Sequence, residues 1–142
     1  MKKLALFLCA ALIAAFALAG CGSSQPTYAV SDGVISPNGN YTVEASLEGG
    51  SGKATIQSPV PIKVAEGTMT ATFVWSSSNY DLMVVDGTEY KPTSAKDGST
   101  FEIPVKSIDG PLSVQAETTA MGTPHMIEYT INFDPSKVKA AK

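Results

Sequence analysis

Glycine-containing dipeptides interrupt this sequence at short intervals, and they limit how long any regular element between them can be. They occur at Gly49-Gly50, Glu66-Gly67, Asp86-Gly87, Asp97-Gly98 and Asp109-Gly110. Gly accepts a positive φ and Asp satisfies backbone groups within a turn, so these pairs favour tight turns. The chain is therefore expected to form short antiparallel strands and no long helices.

Eight strand-like runs lie between these turns. Beyond residue 20 the sequence contains 11 Val and 13 Thr but only 3 Leu, a balance that favours strands. Within Thr68–Trp75, the side chains of Met69, Phe73 and Trp75 share one face, which is expected to fill the core. Eight short strands favour an all-β sandwich, with a small barrel as the second choice. The runs are Tyr41–Leu47, Lys53–Gln57, Ile62–Val64, Thr68–Trp75, Leu82–Val85, Phe101–Val105, Leu112–Glu117 and Met126–Phe133.

The first 20 residues have the three parts of a secretory signal peptide. Met1-Lys2-Lys3 is positively charged, Leu4 to Leu18 is an unbroken apolar run of 15 residues, and small residues follow. A transmembrane helix is the alternative, but such a span needs about 18 or more apolar residues. Export with removal of residues 1–20 is the expectation.

The end of this segment, Leu18-Ala19-Gly20-Cys21, resembles the lipobox of bacterial lipoproteins. The resemblance implies that Cys21 carries a diacylglycerol after cleavage and anchors the protein on the extracytoplasmic face of the cell membrane. Cys9 leaves with the signal peptide, so the mature domain is expected to hold no free thiol and no disulfide. Residues 21–40 are then the lipidated Cys and a flexible tether, residues 41–135 the sandwich, and residues 136–142 a solvated tail. The alternative for the end of the tether is that Tyr28 to Ile35 pack onto the sandwich.

Charge and the scarcity of reactive side chains exclude several classes of function. Residues 21–142 carry 8 Lys, 13 Asp and Glu, and no Arg, a formal charge of −5. Nucleic-acid binding is not expected because there is no basic stripe and no Arg to read guanine. His125 is the single His, and no Gly-x-Ser-x-Gly or phosphate-binding Gly motif is present. The protein is therefore not expected to be an enzyme.

The last run carries the most distinctive pair of side chains. His125 and Tyr129 are four residues apart, so on a strand they share a face and lie about 13 Å apart along it. A flat ligand lying along the strand could contact both. The alternative is structural, with Tyr129 in the core and His125 at the end of the strand.

Three segments resemble the NEAT (near-iron-transporter) domain, a haem-binding immunoglobulin-like sandwich of bacterial surfaces. They are "NGNYTVEASLEGGSGKATI", "SPVPIKVAEGTMTATFVWSSSNYDLMVVDG" and "PHMIEYTINFD". In that family a Tyr-x-x-x-Tyr pair supplies the haem-iron ligand and its hydrogen-bonding partner. The resemblance places His125 at the first position and Tyr129 at the second; a shifted register makes Tyr129 the ligand and Phe133 its partner. It also implies a lip over the haem formed by Ser76, Ser77, Ser78 and Tyr80.

The resemblance thus implies a NEAT-like domain that binds haem or another iron-related ligand for an uptake transporter. Imidazole is a suitable haem-iron ligand, so His125 can replace the family's Tyr. A second metal hypothesis joins Met121, His125 and Met126 in a copper(I) site, although strict alternation would send Met126 to the opposite face from His125. The alternative from another class is a ligand-free immunoglobulin-like module that binds proteins of the cell envelope.

Overall fold

Every regular element in the described part of the chain is a β-strand. The structure is a computed structural model that describes residues 29–141. The predicted signal peptide, residues 1–20, and Cys21 lie outside these residues. The strands are β1 (Ala29–Ser31), β2 (Val34–Ser36), β3 (Gly39–Gly49), β4 (Val60–Ala65), β5 (Thr68–Val74), β6 (Tyr80–Val85), β7 (Thr88–Tyr90), β8 (Thr100–Val105), β9 (Leu112–Thr118) and β10 (His125–Ala140).

Eight of these strands form one antiparallel sheet in the order β7-β6-β9-β10-β3-β4-β5-β8, and β1 and β2 form a separate hairpin. The sheet folds over on itself, since the ring centroids of Phe73 on β5 and Phe133 on β10 are only 6.2 Å apart. β3 and β10 are long enough to belong to both halves of the sheet. The result is a sandwich that nearly closes into a barrel, which confirms the predicted all-β, immunoglobulin-like architecture.

The alternation that predicted β5 is present in the structure. Met69, Ala71 and Phe73 are almost fully buried, whereas the threonines between them are exposed or half-buried. Trp75 follows the strand directly and is 1% exposed, so it belongs to the core as expected. Most of the core lies between the two halves of the sheet.

The turns between paired strands have the conformation that their dipeptides predict. Both residues of Glu66-Gly67 and of Asp86-Gly87 have φ between 50° and 77°. Two consecutive residues with positive φ match the twist of the flanking strands in a two-residue hairpin. These turns therefore fix the β4–β5 and β6–β7 pairings.

The structure differs from the sequence prediction in four places, one of which is the short strand β7, which was not predicted. Lys53–Gln57 is a loop, not a strand, with one isolated bridge between Ile56 and Trp75. The β1–β2 hairpin lies inside the range assigned to the tether, and Ile35 is 1% exposed in the core, which agrees with the alternative that Tyr28 to Ile35 pack onto the sandwich. β10 continues to Ala140 and buries Val138, so the folded part extends beyond both predicted boundaries, 41 and 135.

Candidate functional site

An open cleft of about 500 Å³ lies at one end of the sandwich, where β5 ends and β6 and β10 begin. Its first wall contains Ser51, Lys53 and Ala54, and its second contains Ser76 and Ser77. The third wall is the β9–β10 hairpin, which contributes Ala120, Met121, His125 and Met126. Tyr80, Thr118, Ile127 and Tyr129 complete the lining. A volume of this size lies within the range of small-molecule sites.

Three aromatic rings pack together beneath the cleft. The Trp75 ring centroid lies 4.3 Å from that of Tyr80 and 5.0 Å from that of Tyr129. The indole Nε1 of Trp75 donates a hydrogen bond to Sδ of Met83 at 3.3 Å, which fixes the orientation of the indole. The floor of the cleft is therefore a rigid part of the core.

The hydroxyls of Tyr80 and Tyr129 form a hydrogen bond of 2.9 Å in this floor. The two side chains are only 6% and 4% exposed. Burial, and then the hydrogen bond to Tyr129, raise the pKa of Tyr80 well above its usual value. Because the charged form is disfavoured there, Tyr80 remains a neutral phenol at neutral pH.

His125 lies at the other extreme of exposure. It is the first residue of β10, pairs with Thr118 across the hairpin and is exposed. Its Nε2 lies 3.1 Å from Oγ1 of Thr123, two residues earlier in the turn. Met121 and Met126 flank it and are 78% and 44% exposed, which is unusual for such apolar side chains.

The predicted lip is only partly at the cleft. Ser76 and Ser77 line it, whereas Oγ of Ser78 accepts a hydrogen bond from the backbone N–H of Gly98, at 3.2 Å. Ser78 therefore belongs to the loop contacts beneath the second wall and is not part of the lining.

The wall formed by residues 51–54 was not predicted. β3 ends at Gly49, which pairs with Tyr129, so the loop that follows must pass beside the cleft. Reciprocal hydrogen bonds hold this loop against the second wall: the N–H of Thr55 donates to Oγ of Ser76, and the N–H of Ser76 donates to the carbonyl of Thr55. Three Gly within residues 49–52 signalled a loop, but the sequence did not show where that loop lies.

The structure thus brings five of the six predicted ligand-binding residues together, namely Ser76, Ser77, Tyr80, His125 and Tyr129. Met126 also lines the cleft, as do His125 before it and Ile127 after it.

Among residues 29–141, no three His, Cys, Asp or Glu side chains are grouped so that they could hold a metal ion. Within the same residues, no helix is long and apolar enough to cross a membrane.

Comparison with solved structures identifies the fold. The fifth NEAT domain of IsdX2, a B. anthracis hemophore solved in complex with heme, superposes with a TM-score of 0.57, covering 71% of this chain and 99% of that one at 17% identity. A single-substitution mutant of the same domain, also in complex with heme, gives a TM-score of 0.58 over 72% of this chain and 99% of that one, again at 17% identity. The fold is that of a NEAT domain. No family model and no curated protein matches the sequence.

Proposed function

We propose that this NEAT-like domain binds haem in the cleft between the β9–β10 hairpin and the loops at residues 51–54 and 76–77. The observation that carries the proposal is an exposed imidazole, His125, at the rim of a largely apolar cleft with an aromatic floor. The NEAT domain with the same fold was solved in complex with heme, both unmodified and as a mutant. Their identity to this chain is low, so the proposal depends on the residues of the cleft.

The residues present fit this prosthetic group. Haem brings four nitrogen ligands of its own, so one protein side chain is enough to hold its iron, and His and Tyr both serve in this role. His125 is the single His of the sequence and lies at the rim, whereas Tyr129 is buried with its hydroxyl bonded to Tyr80. We therefore assign His125 as the iron ligand and keep Tyr129 as the alternative ligand.

A hemin titration followed by absorption spectroscopy tests this assignment. The unmodified protein should give a Soret band, and His125→Ala should weaken binding and shift that band. Tyr129→Phe should have the smaller effect, because it removes only a hydroxyl beneath the ligand. Lys139→Ala, an exposed change at the far end of the same strand, is the control and should leave the titration unchanged.

Two other results would change the conclusion. If Tyr129→Phe severely weakens hemin binding and His125→Ala weakens it only slightly, Tyr129 is the iron ligand. If no Soret band forms with the unmodified protein, the second candidate gains support: an immunoglobulin-like module that binds a protein of the cell envelope. The exposure of Met121 and Met126 favours that candidate, since exposed apolar side chains clustered on one surface typically mark a contact site.

We further propose that the chain is a lipoprotein anchored through Cys21 on the extracytoplasmic face of the membrane, where it delivers its ligand to an uptake transporter. The support is the sequence Leu18-Ala19-Gly20-Cys21 after a positively charged start and an apolar run. Cys21→Ser should abolish labelling by a fatty-acid analogue and move the protein out of the membrane fraction. Labelling that persists in Cys21→Ser would refute the anchor.

A further inference from the structure

Sulfur and imidazole donors are concentrated on the β9–β10 hairpin. Met121, His125 and Met126 all line the cleft on this side, and all three are exposed. Met side chains are usually buried, and the two other Met in the described part of the chain, Met69 and Met83, lie in the core. The exposed thioethers are therefore found beside the single imidazole of the sequence.

The turn of the hairpin keeps these donors within a short segment. His125 pairs with Thr118, so only residues 119–124 connect the two strands. The N–H of Gly122 donates to the carbonyl of Thr119 at 3.0 Å, and Gly122 has a φ of 83°. Met121 lies in this tight turn. Its side chain is unbranched with three rotatable bonds, so its sulfur can adjust to an ion held by the imidazole.

The imidazole has the kind of hydrogen bond that orients metal-binding His side chains. Nε2 of His125 lies 3.1 Å from Oγ1 of Thr123. In the tautomer in which Nε2–H donates to this hydroxyl, Nδ1 has a free lone pair. A metal-binding His usually donates its second ring N–H to an oxygen, which fixes the orientation of the ring. Thr123 is thus placed to orient His125 for binding through Nδ1.

These donors indicate a soft, monovalent ion. Neutral thioether and imidazole groups suit copper(I), whereas Ca²⁺, Mg²⁺ and Mn²⁺ prefer carboxylate and carbonyl oxygens. None of the carboxylates within residues 29–141 lines the cleft. Lys53, on another wall, repels a divalent cation more strongly than a monovalent one.

From this arrangement we infer that His125, Met121 and Met126 form a copper(I)-binding site on the β9–β10 hairpin, with His125 binding through Nδ1 and each Met through Sδ. The inference goes beyond the proposed haem function and does not rest on it, because the site needs only residues of this hairpin. It shares His125 with the haem assignment.

A competition titration with copper(I) alone tests the site. The protein is the full chain with Cys9→Ser and Cys21→Ser, so that no thiol binds the metal. Under anaerobic conditions with ascorbate, this protein should withdraw one copper(I) ion per molecule from the coloured bicinchoninate complex. An excess of Zn²⁺ should not reverse the transfer.

Variants in the same background identify the donors. Met121→Leu/Met126→Leu keeps the apolar volume and removes both sulfurs. This double variant and His125→Ala should each bind copper(I) at least about tenfold more weakly, and Thr123→Val about tenfold more weakly, because losing even the orienting partner of a metal-binding His costs about 10–100-fold in affinity. Lys91→Ala, an exposed change outside the cleft, should bind normally.

Nuclear magnetic resonance of methyl-labelled Met gives a second readout with a control inside the chain. Silver(I), a soft monovalent ion that is stable to air, should shift the methyl signals of Met121 and Met126. The signals of Met69 and Met83 should stay unchanged, because both side chains are buried in the core. Unchanged Met69 and Met83 signals in the variants also show that the variants are folded.

Three results would overturn the inference. The first is copper(I) binding by the double variant or by His125→Ala as tight as that of the protein with both sulfurs and the imidazole. The second is a silver(I) shift of Met69 and Met83 equal to that of the exposed pair. The third is full displacement of copper(I) by Zn²⁺. Failure of hemin to bind would leave the copper site standing, and failure of copper(I) to bind would leave the haem function standing.

Discussion

At the scale of single residues, the hydrogen bond between the hydroxyls of Tyr80 and Tyr129 is the interaction that most directly links the core to the cleft. Tyr80→Phe removes one hydroxyl and leaves that of Tyr129 buried without its partner. An unsatisfied buried hydroxyl costs about 1–3 kcal/mol, so the free energy of unfolding should fall by that amount. Urea unfolding followed by tryptophan fluorescence measures it, because Trp75 is the single Trp and touches both rings.

The double variant Tyr80→Phe/Tyr129→Phe is the control for this prediction. With both hydroxyls gone, no buried donor or acceptor is left unpaired, so the double variant should lose less stability than the sum of the two single variants. Additive losses would mean that the two hydroxyls do not depend on each other.

The sequence predicted part of this site because alternation is a property of one strand. It placed His125 and Tyr129 on a common face, and both line the cleft. It did not predict Lys53, whose position depends on the pairing of Gly49 with Tyr129, two residues 80 positions apart. Nor did it predict the hydrogen bond between Tyr80 of β6 and Tyr129 of β10. The pattern within one strand does not specify which other strands become its neighbours.

At the scale of elements, the β1–β2 hairpin shows why the N-terminal boundary was predicted too late. It lies in the segment from Gly22 to Asn40, whose Gly, Ser, Pro and Asn content is typical of a linker, and a two-stranded hairpin is marginally stable alone. Here it docks on the sandwich: Ile35 is buried, its N–H contacts Sδ of Met69 at 3.4 Å, and the N–H of Ile108 donates to the carbonyl of Gly33. Such tertiary contacts make it part of the domain.

This docking predicts that Ile35→Ala is destabilising. Truncating a buried Ile to Ala typically costs 2–5 kcal/mol, roughly what is expected here from urea unfolding. Val34→Ala, at the neighbouring position that is 42% exposed, should change stability little. Equal and small effects at the two positions would mean that the hairpin does not contribute to the core.

The pairing of β6 with β9 sets three carboxylates near one another. The pKa of Glu117 is raised by partial desolvation and then by Asp81, which repels its charge and shares a hydrogen bond with it, and by Glu89. Since the folded pKa lies above the unfolded one, the folded state takes up the proton first, and stability rises as pH falls through the folded pKa. The penalty is therefore present at pH 7.

Glu117→Gln removes that penalty and should raise the free energy of unfolding at pH 7. The gain over the unmodified protein should shrink as the pH is lowered through the pKa of Glu117, because the unmodified side chain then becomes neutral as well. Urea midpoints at a series of pH values measure this, with Glu102→Gln on β8 as a control outside the group. A gain independent of pH would show that the three carboxylates do not interact.

At the scale of the whole molecule, β5 separates the N-terminal hairpin from the cleft. Ile35 contacts Met69 near the start of β5, and Trp75 follows its end and packs against Tyr80 in the floor of the cleft. The six residue steps from Met69 to Trp75 correspond to about 20 Å along the strand.

In the anchored form proposed above, Cys21 precedes Ala29 by eight residues, which span at most about 28 Å. Because the tether joins the domain at the hairpin, we expect that end to lie closer to the membrane on average than the cleft.

Energy transfer to the membrane surface tests this orientation. Val34→Cys and Met121→Cys place a thiol at an exposed position beside the hairpin and beside the cleft, respectively, and no other Cys follows Cys21 in the sequence. With a donor dye on that thiol and acceptor dyes on lipid headgroups, transfer should be more efficient from residue 34 than from residue 121, because efficiency falls with distance. Cys21→Ser should abolish transfer at both positions. Transfer from residue 121 that equals or exceeds transfer from residue 34 would place the cleft against the lipid, and a ligand would then have to reach it along the membrane surface.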